Sequence, residues 1–345
     1  MCEKEIKLTQ YSHGAGCGCK IAPDVLKRII GQTNHSSSFP GLLVGNSTSD
    51  DAAVYDLGDG RVVISTTDFF TPIVDDAFTF GAIAAVNALS DIYAMGGTPL
   101  MAIAILGWPI DKIPAELAGI VLKGAEHICH QAGIPLAGGH SIDSQEPIFG
   151  LAVTGTAKPE HIRRNSAAQP GDLLYLTKPL GVGIITTAQK QDKVDPKDLQ
   201  LAMDSMLKLN KPGAVISTET FVHAMTDVTG FGLLGHTTEL CQGSDTSAEI
   251  YYDQVPRFSV VEKYINAGCI PGGTHRNWKA YGHHIKLQAE DQKLLLADPQ
   301  TSGGLLIAVD PSAQLQFEAL LKKEGYVLSP IGRMTAKKAD LVVIS

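Results

Sequence analysis

The chain has 345 residues, of which 44% are hydrophobic and 19% charged, enough for two globular domains each with its own core. A formal net charge of -8 with no Lys/Arg block speaks against nucleic-acid binding, and the longest apolar run, residues 100–110, is broken by Gly107 and Pro109 and too short to span a bilayer. The alternating charges of residues 1–7 show no apolar signal region and read as cytoplasmic, and six cysteines in so long a chain do not make a disulfide scaffold.

The acidic balance sets a condition on any polyphosphate ligand: cations must mediate its contact, which directs attention to the aspartates. First in the chain stands Ser12-His13-Gly14-Ala15-Gly16-Cys17-Gly18-Cys19-Lys20. Glycines keep this backbone permissive, and Lys20 offers the Cys17 thiol a cation that favours thiolate. A mobile reactive segment, half of a metal site and a plain flexible leader are all compatible with it. No second Cys/His pair completes a zinc set, and Cys129, Cys241 and Cys269 stand alone.

Residues 22–30 have helical spacing and 31–40 are loop-like. Apolar residues 42–45 lead into Asn46-Ser47-Thr48-Ser49-Asp50-Asp51, and 52–55 resume an apolar run. Neighbours on a strand point to opposite faces, so at most one of Asp50 and Asp51 shares a site. Residues 61–67 predict a strand that ends on Asp68. From Phe80 to Met95 the period is 3.6 residues, closed by Gly96-Gly97. Asn87 and Asp91 fall on one face of that helix, where burial demands a ligand, an ion or a mutual hydrogen bond.

A strand at 100–106 and a helix at 115–132 follow, then Gly138-Gly139-His140-Ser141, whose backbone N–H groups suit close approach to an anion. Residues 149–156 read as a strand, and the polar stretch 158–172 as a domain boundary. The second half opens with a strand at 173–177, a glycine turn at 181–183 and a helix-rich region to about residue 209.

Thr226-Asp227-Val228-Thr229-Gly230-Phe231-Gly232-Leu233-Leu234-Gly235-His236 contains a literal G-x-G-x-x-G, followed by a helical pattern, a strand at 248–252 and Asp253. That order is close to a dinucleotide fingerprint. Its lead-in strand, however, delivers Asp227 to the place of a pyrophosphate, where like charges repel. Asp227 is therefore read as a cation ligand and the glycines as close packing. Residues 298–304 are a turn by composition before a strand at 305–309, and the tail from 311 holds one helix and two strands. No G-x-x-x-x-G-K-[ST] occurs.

Taken in order, residues 12–20, 50–55, 65–70, 87–91, 138–142, 226–236 and 298–306 resemble the selenophosphate synthetase family. The resemblance implies an α/β fold of the aminoimidazole ribonucleotide synthetase type, with two domains, mixed sheets and dimers that join their sheets into a barrel. It implies the conversion of ATP, selenide and water into selenophosphate, AMP and orthophosphate, with Mg2+ and with K+ as activator. The product would serve selenocysteine and selenouridine formation, with selenium-delivery and selenium-using enzymes as partners.

Carried over by motif, Cys17 and Lys20 are the essential pair on a lid, and Asp51, Asp91 and Asp227 hold magnesium. Thr48, Ser49, Asp50, Asp68, Gly139, His140 and Ser141 line the nucleotide site with Lys20 and Asp91. The implied division is a lid and N-terminal segment at 1–47, an ATP- and Mg-binding domain at 48–157 and a C-terminal domain at 170–345. The residues leave Cys17 free to hold selenium, to orient it or to act through the lid, and leave Cys19 without a role. Two rivals stay open: a nicotinamide-dependent oxidoreductase built on residues 230–235, and a non-enzymatic carrier using Cys17 and Cys19.

Overall fold

The computed structural model of the chain describes residues 6–21, 23–30, 39–45 and 50–345; Thr48, Ser49 and most of the loop read at 31–40 lie outside the described residues. In chain order the elements are α1 (Pro23–Ile30), β1 (Leu42–Val44), β2 (Ala53–Asp56), β3 (Val62–Phe70), α2 (Ala77–Ala94), β4 (Thr98–Trp108), α3 (Ala115–Ala132), β5 (Leu136–Asp143) and β6 (Ile148–Ala157). They continue with β7 (Leu173–Leu176), α4 (Val182–Lys190), α5 (Pro196–Met206), α6 (Pro212–Ile216), β8 (Val222–Asp227), α7 (Gly232–Ser244) and β9 (Thr246–Ile250). The last are α8 (Val261–Asn266), α9 (Gly272–Tyr281), β10 (Ile285–Lys286), α10 (Gln292–Leu296), β11 (Leu305–Val309), α11 (Gln314–Lys323), β12 (Gly332–Ala336) and β13 (Val342–Ile344).

Two mixed sheets result, one from each half of the chain. The first runs β1-β2-β3-β6-β4-β5 and the second β10-β13-β9-β12-β7-β11-β8. Between them lies α2, which packs on α3, β3 and β6 and also meets β8, α5 and α6. Its start is fixed by Asp76, whose side chain accepts a hydrogen bond from the Thr79 amide at 2.8 Å. Small residues such as Ala82, Ala84, Ala85 and Ala88 let neighbours close in on all sides, while Ile83, Leu89 and Ile92 are fully buried and contribute on the order of 1.5–3 kcal/mol each. Among the described residues α2 alone is long and apolar enough to cross a membrane, and 83% of that stretch is buried inside the protein.

The segment between the sheets is pinned by Arg163. Its guanidinium donates to the carbonyls of Glu160 at 3.0 Å and Glu219 at 3.1 Å, and its amide donates to Met95 O at 3.1 Å. The first sheet turns one face to α2 and α3. Its other face carries Tyr55, Phe69, Met101, Ile103 and Ile142, all exposed. Neither sheet closes into a barrel among the described residues.

Candidate active site

The site begins with a match of two periods. Alternation along β3 turns Ile64, Thr66, Asp68 and Phe70 toward α2, while Asn87 and Asp91 lie one helical turn apart on the helix face opposite. Two strand residues rise about 6.7 Å and four helix residues about 6 Å, so the pairs meet rung for rung. Asn87 Nδ2 donates to Asp68 Oδ2 at 2.6 Å, and Thr66 Oγ1 donates to Asp91 Oδ2 at 2.5 Å. The sequence reading ended this strand at Asp68. The strand continues to Phe70, so Asp68 is held within it, paired across to Leu151.

Onto this ladder converge Asp51, just before β2, and Asp227, the last residue of β8. One carboxylate oxygen from each of Asp51, Asp91 and Asp227 lies within 4.8 Å of the others. Asp51 Oδ1 accepts from Thr226 Oγ1 at 2.8 Å, and Asp227 accepts from Ser90, whose hydroxyl accepts from Asn210 Nδ2 at 2.8 Å. Burial pushes all three carboxyls above the ordinary carboxylate range, and the charge of Asp227 raises Asp51 and Asp91 further. Asp51 Oδ2 and Asp227 Oδ2 are buried with no hydrogen-bond partner. Clustered hard oxygen donors with lone pairs left over are what a divalent cation such as Mg2+ satisfies, and this set could hold one. Asp50 Oδ1 accepts from the Asn165 amide at 2.8 Å.

The glycine segment closes over the site. Gly16 pairs with Thr71 beside the end of β3, and Arg276 Nη2 on α9 donates to Gly18 O at 2.7 Å. Lys190 Nζ donates to the carbonyls of Ser12 at 2.9 Å and Gly14 at 3.2 Å. Cys17 is 1% exposed, and its Sγ donates to Asn87 Oδ1 at 3.3 Å. Lys20 Nζ stands 3.5 Å from Asp68 Oδ2. The Lys20 side chain is about one-third exposed; neighbouring atoms partly desolvate its amine, but Asp68, Cys17, Asp91 and Asp227 outweigh this and hold the ammonium charged.

Lys20 does favour the Cys17 thiolate, but its effect is opposed in this arrangement. Burial, followed by the Asp68 charge, pushes the thiol well above its usual range and outweighs Lys20, so Cys17 carries its proton here. A loose leader is likewise not what the described residues form: Cys17–Cys19 is a turn of 3-10 helix seated between β3 and α9. No cluster of three ligating side chains among the described residues includes a cysteine.

The G-x-G-x-x-G stretch does not build a dinucleotide fold. Strand β8 pairs antiparallel with β11 at the edge of the second sheet, and β9 lies between β12 and β13, so β8-α7-β9 is not an adjacent parallel unit. The strand expected at 248–252 is shifted to Thr246–Ile250, and Asp253 falls in the turn Tyr252–Gln254. A Cβ on Gly230 would lie 2.7 Å from Cys17 O and 3.0 Å from Lys20 Cδ. That glycine serves close approach of the lid to β8.

Residues Gly139, His140 and Ser141 are part of β5, parallel to β4 at the edge of the first sheet. Gly139 has φ +155° and a Cβ there would stand 2.2 Å from Ala104 O, so its glycine permits strand pairing. These three residues are exposed and line a cleft of about 390 Å³ with Lys123 and Glu126 of α3; none of the aspartate cluster borders it.

The model of the AIR synthase related protein N-terminal domain matches residues 49–157, and that of the AIR synthase related protein C-terminal domain matches residues 169–344. Selenide, water dikinase of Yersinia pseudotuberculosis is 59% identical over 344 residues, covering 100% of this chain and 99% of that protein. The Pseudomonas putida protein of the same name is 57% identical over 339 residues, covering 98% of each. Among solved structures, thiamine-monophosphate kinase of Stenotrophomonas maltophilia superposes with a TM-score of 0.65 at 19% identity, covering 95% of this chain and 96% of that one. Hydrogenase maturation protein HypE in complex with ATP gives 0.64 at 18% identity, covering 98% and 94%. The last two likenesses show the fold, which the two domain models give as AIR synthase related. With relatives this close over nearly its whole length, the chain belongs to the selenide, water dikinase family, the selenophosphate synthetases.

Proposed function

We propose that this protein is an ATP-dependent phosphotransferase that converts ATP, selenide and water into selenophosphate, AMP and orthophosphate. The observation that carries the reading is the convergence of the Cys17–Lys20 segment on Asp68 beside three carboxylates drawn from both halves of the chain. Asp51, Asp91 and Asp227 would hold Mg2+, which when bound neutralises triphosphate charge in an acidic protein. Lys20, held charged, stabilises negative charge on a transferring phosphoryl group. Cys17, shut away from solvent with its proton on, meets selenide only when the segment lifts, and the closed segment keeps water from the phosphoryl.

Asp68 and Asp50, with Thr48 and Ser49, complete the nucleotide contacts in this reading. Gly139, His140 and Ser141 remain in it on the strength of the family likeness alone. Activation by K+ and a cytoplasmic setting belong to the same proposal, the latter in keeping with the free thiols of the five described cysteines. So do the division into segments 1–47, 48–157 and 170–345 and a homodimer whose contact is the exposed apolar face of the first sheet. Selenium-delivery and selenium-using enzymes would supply its substrate and take its product.

The test is anaerobic phosphorus NMR of the protein with ATP, Mg2+, K+ and selenide, against the same mixture without selenide. A selenium-coupled phosphate signal with AMP and orthophosphate is expected. ATP left intact, or ADP alone in both samples, would overturn the proposal. A carrier predicts stoichiometric selenium binding without nucleotide turnover, and a nicotinamide enzyme predicts thermal protection by NAD rather than by ATP with Mg2+.

A further inference from the structure

The loop at 298–304 is among the stretches that carry the family resemblance but has no role in the site described above, yet it is polar and buried. Asp298, Gln300, Thr301 and Ser302 are each 2% exposed or less. Such turns ordinarily lie at the surface, because their backbone groups need water. Here protein supplies the partners. Gln300 N donates to Thr229 O at 3.0 Å, and Gln300 Oε1 accepts from the amides of Gly181 and Val182 at 3.2 Å.

Ser302 stands at φ +51°, a conformation that residues other than glycine seldom adopt. Three bonds hold it there. Its hydroxyl donates to Met206 O at 2.6 Å, its carbonyl accepts from the buried Lys178 Nζ at 2.8 Å, and its amide donates to Asn87 Oδ1 at 2.7 Å. A loop fixed at this many points is a rigid platform.

The platform meets the lid at Thr301. The Cys17 amide donates to Thr301 Oγ1 at 3.0 Å, across 284 residues of chain. Cys17 and Ser302 then share Asn87 Oδ1, which accepts from the thiol and from the Ser302 amide. The side chains of Asp298, Gln300 and Ser302 hold the loop, whereas the Thr301 hydroxyl reaches out of it to the lid.

We infer that Thr301 is a positioning residue: its hydroxyl seats the Cys17 backbone when the lid closes and brings the thiol to rest on Asn87, beside Asp68 and Lys20. The catalytic consequence rests on the function proposed above; the seating itself does not.

The experiment compares the full-length chain with Thr301→Val, which keeps shape and loses the acceptor, and with Thr301→Ser, which keeps the acceptor. The first readout is alkylation of Cys17 by iodoacetamide without ATP or selenide, followed by mass spectrometry as a ratio to the buried Cys129 and Cys241. Thr301→Val is expected to raise that ratio roughly tenfold, and Thr301→Ser to leave it near wild type. The second readout is selenide-dependent AMP formation, where kcat falls by a similar factor in Thr301→Val while KM for ATP stays within about twofold. An unchanged ratio, a parallel rise at all three cysteines, or a Thr301→Ser protein that behaves like Thr301→Val overturns the inference. If wild type makes no selenophosphate but Thr301→Val still exposes Cys17, the functional reading falls and the seating stands. If wild type makes selenophosphate and the ratio does not move, the reverse holds.

Discussion

Thr226 donates its hydroxyl to Asp51 at 2.8 Å, a bond that spans 175 residues and ties the edge of one sheet to the approach of the other. The next residue, Asp227, enters the carboxylate cluster itself. One dipeptide at the end of β8 therefore supplies a proposed ligand and orients another.

Removing either function should weaken metal binding by different amounts. Thr226→Val leaves Asp51 free to rotate and is expected to lower the affinity for Mg2+ in the presence of ATP by roughly 10–100-fold, as loss of a ligand's supporting hydrogen bond does. Asp227→Asn should cost at least as much. A magnesium titration of nucleotide binding reads both, and unchanged affinity in Asp227→Asn would remove it from the ligand set.

Cys17→Ser should abolish selenide-dependent AMP formation while ATP affinity stays within about twofold of wild type. The reason is positional: the thiol rests on Asn87 and does not touch the aspartate cluster. Calorimetric titration with ATP and Mg2+ checks the first half of this statement, and AMP assay the second. Wild-type turnover would take Cys17 out of catalysis.

A methyl group on Gly230 would enter the space now filled by the Cys17 carbonyl and the Lys20 stem. Overpacking of this kind costs about 1–3 kcal/mol, and here it falls on lid seating rather than on a core. Gly230→Ala should therefore keep its melting temperature near wild type, accelerate alkylation of Cys17 and lower turnover. A protected Cys17 in that variant would show that the lid accommodates the methyl by another path.

Asp298 gives a pH signature. Burial pushes its carboxyl up to about 8, against hydrogen bonds from Gln300 and Gly183. The unfolded chain releases that proton near pH 4, so between about 4 and 8 the folded state binds more protons and this group's stabilisation declines as pH rises. Asp298→Asn mimics the neutral acid. Its melting temperature should gain on wild type from pH 5 to 9, and a constant difference would mean that the carboxyl titrates normally.

Most elements were legible because their periods are strong: α3 follows the expected boundaries, and Asn87 and Asp91 share a face of α2. Asp50 and Asp51 bond to different partners, but both precede β2, so the strand alternation invoked for them does not apply. Three things escaped the sequence. The Gly138-Gly139 pair lies within β5 and allows that strand to approach β4, a role that no local pattern announced. The protonation of Cys17 depends on how completely the lid buries it, which no local pattern reports. Thr301, Ser302 and Lys178 were given no role because their partners are distant in the chain; the first two lay in a resembling stretch, a polar turn followed at once by the fully apolar β11.

Asp51 and Asp91 come from the half of the chain that makes the first sheet, and Asp227 from the half that makes the second. A cation and nucleotide gathered by all three would act as a fastener across the seam between the halves. Their binding free energy then adds to that of docking, by RT ln(1 + [L]/Kd) for a ligand that binds the joined form alone. Neither half, separated from the other, would own a complete site, so the chemistry would be confined to molecules whose two halves have already found each other.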